Sequence, residues 1–262
     1  MIQDIWPLLG WGLVGMAIWM ALLWGIHFKI KNAGIVDFGW ALGLALLGAY
    51  YSIAGKGYVA RRWLIGIMVV FWGGRLALHL LFDRILGKPE DPRYAAIRQE
   101  WKANLGTKFF FFFEFQALLA VLLSYPFAIL ATDPTPRISG FEIAGLAIWL
   151  VAVTGEALAD HQLKRFKTNP ANKGHTCQSG LWNYSRHPNY FFEWLIWTAY
   201  FVAALAAPYG WISIFCPVLM LYFLWKVTGI PATEAQALRT RGEEYRQYQK
   251  TTSAFVPWFK KS

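Results

Sequence analysis

The chain has 262 residues, of which 56% are apolar, 18% aromatic and only 15% charged, and its formal net charge is +10. A soluble domain usually carries about 25% charged residues, so this composition excludes disordered, collagen-like and disulfide-scaffold proteins. Several windows of roughly 20 residues contain almost no charge, which is the length that a helix needs to cross a hydrocarbon layer of about 30 Å. The sequence therefore predicts an all-α integral membrane bundle, built as a single membrane domain over residues 1–262.

About seven transmembrane helices are predicted along the chain. The first follows an N-terminus without a basic segment or a clear cleavage site, and we interpret it as a retained span rather than a signal peptide. Polar segments separate some of the spans, notably His27–Asn32, Asp83–Lys108 and Ala159–His187, and an amphipathic tail, Ala232–Lys250, follows the last one. The predicted spans are Ile5–Ile26, Ala33–Ile53, Trp63–Phe82, Phe109–Ala131, Phe141–Leu158, Pro188–Ala207 and Trp211–Ile230.

The distribution of basic residues predicts the orientation of the chain. Membrane proteins collect Lys and Arg in their cytoplasmic loops. With the N-terminus outside, the inner segments hold 20 basic residues and the outer segments hold four. We therefore expect the N-terminus outside and the C-terminus in the cytoplasm. The same bias accounts for the net charge, so we expect the lipid bilayer as the partner and no nucleic acid.

Four ionisable residues fall within the apolar windows: Asp37, Arg75, Glu114 and Glu193. A charged group at membrane depth costs about 2.5–3.5 kcal/mol on insertion scales, so each one needs a partner or a function. An ion pair between Asp37 and Arg75 that locks two helices is one interpretation, and a functional role for Asp37 is the other. Glu114 follows five Phe residues and is interpreted as reaching the membrane interface.

The densest group of polar residues lies in the segment Ser179–Trp197, where a basic loop enters a predicted span. Pro188 suits the first turn of that helix, because its missing N–H is no loss there. Asn189, Glu193 and Trp197 are spaced by four residues, which places them on one face of the helix. This pattern predicts a binding site that begins at the interface and runs inward.

The string Gly180–Trp182, Tyr184–Tyr190, Glu193 and Trp197 resembles the C-terminal signature of the steroid 5α-reductase family. The resemblance extends over Glu156–Tyr248. It implies a seven-span membrane enzyme that uses NADPH to reduce the C4–C5 double bond of 3-oxo-Δ4 steroids or related enone lipids. The natural substrate stays open.

Spans two and three resemble bacterial relatives of this family through Val36–Trp40, Arg75-Leu76 and Asp91–Tyr94. The resemblance implies a protein of the bacterial inner membrane with its cofactor site facing the cytoplasm. We expect a monomer that takes a steroid or another hydrophobic enone as its substrate.

The resemblance also implies which residues bind NADPH. Arg186 and His187 are expected beside the phosphates, since positive groups near a 2′-phosphate favour NADPH. The chain has no Gly-x-Gly-x-x-Gly motif, so the nucleotide is expected between helices and not in a Rossmann fold. The implied cofactor-binding residues are Arg75, Arg84, Asp160, Lys164, Lys167, Arg186, His187, Asn189, Tyr190, Glu193, Trp197 and Tyr245.

The expected catalytic residues are Asp37, Tyr94 and Tyr190. Animal members of the resembled family pair a Glu on span two with a Tyr on span three, and the pair polarises the carbonyl of the substrate. In an ungapped alignment Asp37 occupies the Glu position, but Trp72 stands where the Tyr is expected. Asp37 can donate a hydrogen bond or a proton to the carbonyl, and Tyr94 and Tyr190 are the candidate replacements for the phenol.

Two other classes of function compete with a reductase. Isoprenylcysteine carboxyl methyltransferases also carry an Arg-His-Pro-x-Tyr segment, but a Gly follows shortly, where this chain has Phe191–Glu193. A lipid-binding or transport protein would more often contain inverted repeats, and none is evident here. His175, Cys177 and His187 form only a weak metal-binding pattern, so no metal is expected.

Overall fold

The computed structural model describes residues 2–227 and 229–260, which form an all-helical structure without a named β-strand. The all-α prediction is therefore confirmed. Short π-helical turns at Leu81–Ile85 and Phe223–Val227 follow α3 and α9. The α-helices are α1 (Ile2–Ile30), α2 (Ile35–Ala54), α3 (Val59–Leu80), α4 (Pro92–Glu100), α5 (Leu105–Leu123), α6 (Tyr125–Thr132), α7 (Gly140–Thr168), α8 (Pro188–Ala204), α9 (Phe215–Tyr222), α10 (Ile230–Arg241) and α11 (Glu243–Thr251).

Six helical segments of the described chain are long and apolar enough to cross a membrane. This finding confirms the expected class, an integral membrane helical protein. The remaining expected span, Pro188–Ala207, corresponds to α8, whose 17 residues lie at the lower limit for a spanning helix. The six segments are Gln3–Ile30, Ile35–Ala54, Val59–Ile85, Leu105–Leu123, Gly140–Thr168 and Gly210–Arg241.

The helices group into two compact units. The first unit comprises the chain up to Gly140 together with Ala204–Trp211, and it contains α1 to α6. The second comprises Phe141–Ala203 and the chain from Ile212 onward, so it contains nearly all of α7 and α8 and the whole of α9 to α11. Each unit carries one of the two polar clusters described below.

Small residues let α2 and α3 pack closely in the first unit. A Cβ added to Gly66 would lie 2.1 Å from the hydroxyl of Ser52, and one added to Gly73 would lie 2.8 Å from the carbonyl oxygen of Ala41. The Ser52 hydroxyl also donates to the carbonyl oxygens of Gly48 and Arg62, both at 2.8 Å. Such close backbone approach is how membrane helices associate without a hydrophobic driving force. It fixes the position of α2, which carries Asp37 in its first turn.

A buried ion pair fastens the first turn of α3 to the segment that follows α6. Nη1 of Arg61 lies 2.8 Å from a carboxylate oxygen of Asp133, and each side chain is at most 2% exposed. Nη2 of Arg61 donates to the carbonyl oxygen of Arg137 at 2.7 Å. In the same region the backbone N–H of Gly57 donates to the carbonyl oxygen of Ala131. The pair therefore closes one end of the first unit.

In the second unit, side chains from α8 and from the C-terminal tail form the core. Phe255 is buried and packs against Phe191, Trp194 and Trp225. The indole N–H of Trp194 donates to the carbonyl oxygen of Pro217 at 3.1 Å. The tail is thus anchored among the helices.

We predict that Arg61→Met lowers the free energy of unfolding by about 3–5 kcal/mol, because it leaves the buried carboxylate of Asp133 without its cation. Thermal unfolding in detergent measures the effect. Lys56→Met is the control, because Lys56 is 80% exposed and its pairing with Asp4 is open to solvent. Equal melting temperatures for Arg61→Met and the control would contradict a stabilising role for the buried pair.

Candidate functional site

A carboxylate and a phenol meet in the first unit. The hydroxyl of Tyr94 donates to Oδ1 of Asp37 at 2.6 Å. Nη2 of Arg93 donates to Oδ2 of the same carboxylate at 3.1 Å. Tyr94 is only 5% exposed, whereas the side chains of Asp37 and Arg93 are each about one third exposed. Asp37 and Arg93 are therefore accessible to a ligand, and the buried phenol is bonded directly to the accessible carboxylate of Asp37.

The motif Asp91-Pro92-Arg93-Tyr94 positions these groups. Asp91 caps α4 by accepting from the backbone N–H of Arg93 at 3.0 Å, and Pro92 occupies the first turn. The Asp91 carboxylate also accepts from Nε of Arg93 at 3.0 Å. Asp37 lies in the first turn of α2, where the helix dipole stabilises a negative charge. One guanidinium therefore joins the starts of two helices.

The pKa values of this cluster keep Tyr94 protonated and Arg93 charged. Burial and the neighbouring carboxylate of Asp37 raise the pKa of the Tyr94 phenol well above its usual value. Burial opposes the charge on Arg93, but Asp37 and Asp91 more than offset it and raise the pKa of Arg93. Burial also opposes the charge on Asp91, yet its bonds to Arg93 hold the pKa of Asp91 below its usual value.

A second ion pair ties the loop between α1 and α2 to α4. Oε1 of Glu90 accepts from the backbone N–H of Ala33 at 2.7 Å and from Nη2 of Arg98 at 2.8 Å. The guanidinium of Arg98 also lies over the ring of Phe109, 5.2 Å from its centre. These contacts hold the segment that leads into Asp37.

The second unit has its own polar cluster, centred on the carboxylate of Glu234. Nε of Arg186 donates to Oε1 of Glu234 at 2.7 Å, and the amide of Gln249 donates to Oε2 at 2.7 Å. Nε2 of His187 lies 3.3 Å from Oε1, and the hydroxyl of Tyr245 lies 3.4 Å from it. One carboxylate therefore links α10 and α11 to the loop before α8.

The same loop is also bonded to the C-terminal tail. Nη1 of Arg186 donates to the carbonyl oxygens of Gln249 and Thr252, both at 2.8 Å. The backbone N–H of Arg186 donates to the carbonyl oxygen of Ser253 at 2.9 Å. Ser185 donates its hydroxyl proton to the carbonyl oxygen of Phe255 at 2.8 Å. These bonds use three N–H groups of Arg186 and keep its side chain 10% exposed.

Arg186 also lines a cavity of about 450 Å³, a size typical of small-molecule sites. In the part of the chain that the structure describes, Nη2 of Arg186 has no acceptor within bonding distance. The described residues that line the cavity include two cations, Arg186 and Lys250, and no carboxylate. The lining residues are Arg186, Gln249, Lys250, Thr252, Ser253, Ala254, Val256, Trp258 and Phe259.

His187 also belongs to the second-unit cluster. Burial lowers the pKa of its imidazole, and Arg186 lowers it further, although the bond to Glu234 partly opposes both effects. The ring stacks on Tyr190, with 5.3 Å between the ring centres. The Tyr190 hydroxyl in turn lies 3.1 Å from the hydroxyl of Thr233, so Tyr190 belongs to the second unit and Tyr94 to the first.

The other expected cofactor residues are spread over both units. Arg75 is half-buried in α3, and Arg84 is exposed in the π-turn that follows it; both belong to the first unit. In the second unit the remaining residues lie on two helices. The side-chain amide of Asn189 on α8 donates to the carboxylate of Asp160 on α7 at 3.4 Å. On α8, Trp197 is fully buried and Glu193 is half-buried. Lys164 and Lys167 are exposed near the end of α7.

Sequence reasoning assigned no role to Arg93, Glu234 or Lys250. For the described residues, the ion-pair partner of Asp37 is Arg93, whereas one interpretation of the sequence paired Asp37 with Arg75. The signal for Arg93 was the motif Asp91–Tyr94 itself, in which an Asp-Pro helix start precedes a cation and a phenol. Glu234 gave a weaker signal, as a carboxylate just after the last apolar window.

Residues 23–252 match the family model described as a protein of unknown function, DUF1295. The match covers most of the chain, so the chain belongs to this family. The chain is also similar to a protein of Schizosaccharomyces pombe named uncharacterized protein C594.04c, with 27% identity over 207 residues. That alignment covers 69% of this chain and 60% of the length of the relative. No solved structure gives a significant match.

We predict that acid destabilises the protein through His187. Because burial depresses the pKa of His187 in the folded protein below its ordinary value of 6.5, the unfolded chain takes up a proton first as the pH falls. Stability is therefore full above pH 6.5 and declines below it.

Melting temperatures at about pH 7.5 and pH 5.5 test this expectation. His187→Gln keeps a polar group beside Arg186, Glu234 and Tyr190 but does not titrate, so the melting temperature of this variant should fall less over the same interval. His175→Gln is the control, because His175 is exposed. Parallel pH profiles for His187→Gln and the parent protein would contradict the prediction.

Proposed function

We propose that this member of the DUF1295 family is an NADPH-dependent reductase of enone lipids, with 3-oxo-Δ4 steroids as the model substrate class. The observation that carries the proposal is the 2.6 Å hydrogen bond between Tyr94 and Asp37. A carboxyl–phenol pair is the group that the resembled family places at the substrate carbonyl. Trp72 occupies the expected phenol position in this sequence, and Tyr94 supplies the phenol instead.

Reduction of an enone adds a hydride to the β carbon and a proton to the α carbon, and negative charge passes over the carbonyl oxygen. NADPH supplies the hydride when it is bound. The protein has to stabilise the oxygen as its charge develops, and positioned donors and cations do this best in a site with little water. Arg93 contributes a fixed positive charge, and the Asp37–Tyr94 pair holds a proton between its two oxygens. These groups are suited to polarising a carbonyl.

The cavity of the second unit fits an anionic nucleotide. The side chain of Arg186 is 10% exposed, and its Nη2 group faces no acceptor among the described residues. A guanidinium in this position and the ammonium of Lys250 favour phosphate. Trp258 offers an exposed indole at the same cavity, against which an aromatic base can stack. The donor set therefore supports binding of the phosphates and base of NADPH.

The resemblance implies a location in the bacterial inner membrane, and the charge distribution of the sequence supports a cytoplasmic side for the cavity of the second unit. Arg186 and Lys250 lie in segments that carry an excess of basic residues, which the positive-inside rule places in the cytoplasm. NADPH is a soluble cytoplasmic cofactor and would reach such a site directly.

Purified protein in detergent tests the proposal. We expect oxidation of NADPH in the presence of 3-oxo-Δ4 steroids or other enone lipids, and no oxidation with the corresponding saturated ketones. A methyltransferase would instead bind S-adenosylmethionine, so both cofactors are titrated against the same preparation. Binding of S-adenosylmethionine without NADPH, or no turnover with any enone in the panel, would reject the reductase.

We predict that Tyr94→Phe and Asp37→Asn each slow single-turnover oxidation of NADPH by about 10²–10³, the usual effect of losing one group that stabilises a developing oxyanion. Tyr94→Phe removes the phenolic proton of the pair, and Asp37→Asn removes the carboxylate that accepts from Tyr94 and Arg93. Affinity for NADPH should stay nearly unchanged, because these residues bind the substrate and not the nucleotide. Tyr222→Phe, at an exposed phenol, is the control. A normal rate with a lowered melting temperature would assign the pair a structural role.

We predict that Lys250→Ala weakens binding of NADPH by about ten- to a hundred-fold, the value of one charge-assisted hydrogen bond to phosphate. Fluorescence titration with NADPH measures the dissociation constant. Lys88→Ala removes an exposed cation of the first unit and is the control. Unchanged affinity in Lys250→Ala would remove the cavity from the nucleotide site.

A further inference from the structure

Asn32 has a buried amide with a fixed orientation. The residue is 4% exposed, and its Oδ1 accepts from the backbone N–H of Gly34 at 2.9 Å. Since the oxygen is held by this bond, the NH₂ group occupies the opposite side of the amide. Within residues 2–227 and 229–260, Nδ2 of Asn32 has no hydrogen-bond partner. A buried donor without an acceptor destabilises a fold, so native proteins rarely keep one unless a ligand or a water binds it.

Neighbouring donors at the start of α2 have acceptors within the chain. The backbone N–H of Ala33 donates to Glu90 at 2.7 Å. The N–H groups of Val36 and Asp37 donate to the carbonyl oxygens of Ala33 and Gly34, at 3.1 and 3.0 Å. Local structure therefore uses these donors and leaves the amide of Asn32 available.

Gly34 connects this amide to the Asp37–Tyr94 pair. A Cβ added to Gly34 would lie 2.9 Å from Oδ1 of Asn32 and 3.6 Å from Cδ2 of Tyr94. Gly34 also lines a cavity of about 10 Å³ together with Asp37, Arg84 and Asp91, which is the size of a single oxygen-centred group. Gly34 therefore lies beside both the amide of Asn32 and the ring of Tyr94, and it lines a small cavity that Asp37 also lines.

We propose that the amide of Asn32 donates a hydrogen bond to the carbonyl oxygen of the enone substrate. This inference rests on the proposed function and adds a substrate-binding residue to it. An amide NH₂ requires an acceptor, and a ketone oxygen is one. Asp37 and Arg93, both about one third exposed, leave an approach for the ligand from solvent or lipid. Asn32 then fixes the orientation of the enone before reduction.

The test uses binding without turnover. Testosterone labelled with ¹³C at C3 is the probe, NADPH is left out, and the labelled carbonyl stretch is recorded by infrared difference spectroscopy beside a binding titration. Asn32→Asp keeps the oxygen that accepts from Gly34 and removes the donor, and Asn32→Ser is a second, neutral variant that retains an acceptor. Asn169→Asp is the matched control, because Oδ1 of Asn169 makes the same bond to the N–H of Ala171 on an exposed loop.

We expect the parent protein and Asn169→Asp to bind the probe with the carbonyl band shifted to lower frequency. Both Asn32 variants should bind it about three- to tenfold more weakly, the effect of one hydrogen bond, with the band moved back toward its free position. An unchanged band and affinity in a folded Asn32 variant would overturn the inference alone. Weaker binding with an unchanged band would also overturn it, since the amide would then bind a structural water. A parent protein that binds no enone would overturn the proposed function as well.

Discussion

A charge that is shielded from water has to find its counterion inside the protein, and this constraint shapes both units. In the first unit the guanidinium of Arg93 is shared by the carboxylates of Asp37 and Asp91. In the second unit the carboxylate of Glu234 is shared by Arg186, His187 and further donors. Each cluster joins the ends of helices that are distant in sequence. The polar groups therefore hold the ends of the apolar helices together, and the same groups are the candidate functional residues.

The two clusters differ in how much of their bonding capacity remains for a ligand. Oxygens of Asp37 accept from Tyr94 and Arg93, yet about one third of that carboxylate is exposed. Arg186 is nearly buried, and its Nε, its Nη1 and its backbone N–H already donate four hydrogen bonds within the protein. A ligand of the first cluster would meet a preformed pair of carboxylate and cation, whereas a ligand of the second would bind the remaining N–H groups of one guanidinium.

Apolar windows predict the long helices well, because burial in lipid requires uninterrupted apolar length. They predict interruptions poorly. The expected span Phe109–Ala131 is divided into α5 and α6 at Ser124, and Pro126 lies in the first turn of α6, where its missing N–H is tolerated. The expected span Trp211–Ile230 contains a 3₁₀ turn, α9 and a π-turn in place of one regular helix. Local backbone preferences determine where these helices are interrupted, and average hydropathy carries no information about such preferences.

Candidate residues that belong to a local sequence motif were predictable. Residues whose role depends on contacts between distant parts of the chain were not. Asp37 was identified from its depth in an apolar window, and Tyr94 from the motif that ends with it. The pairing of Asp37 with Arg93 joins residues 56 positions apart, so no local spacing could indicate it. The role of Glu234 likewise depends on α10 meeting the loop before α8, and a pattern within either segment does not predict that encounter.

The bonds between the loop before α8 and residues 249–253 have a consequence for biosynthesis. Arg186 emerges from the ribosome long before the carbonyl groups of Gln249, Thr252 and Ser253 that bind it. Its guanidinium must remain hydrated until the last helices have been synthesised, so the cavity beside it assembles after most of the chain has entered the membrane. Insertion of the apolar helices and assembly of this cavity are therefore successive events.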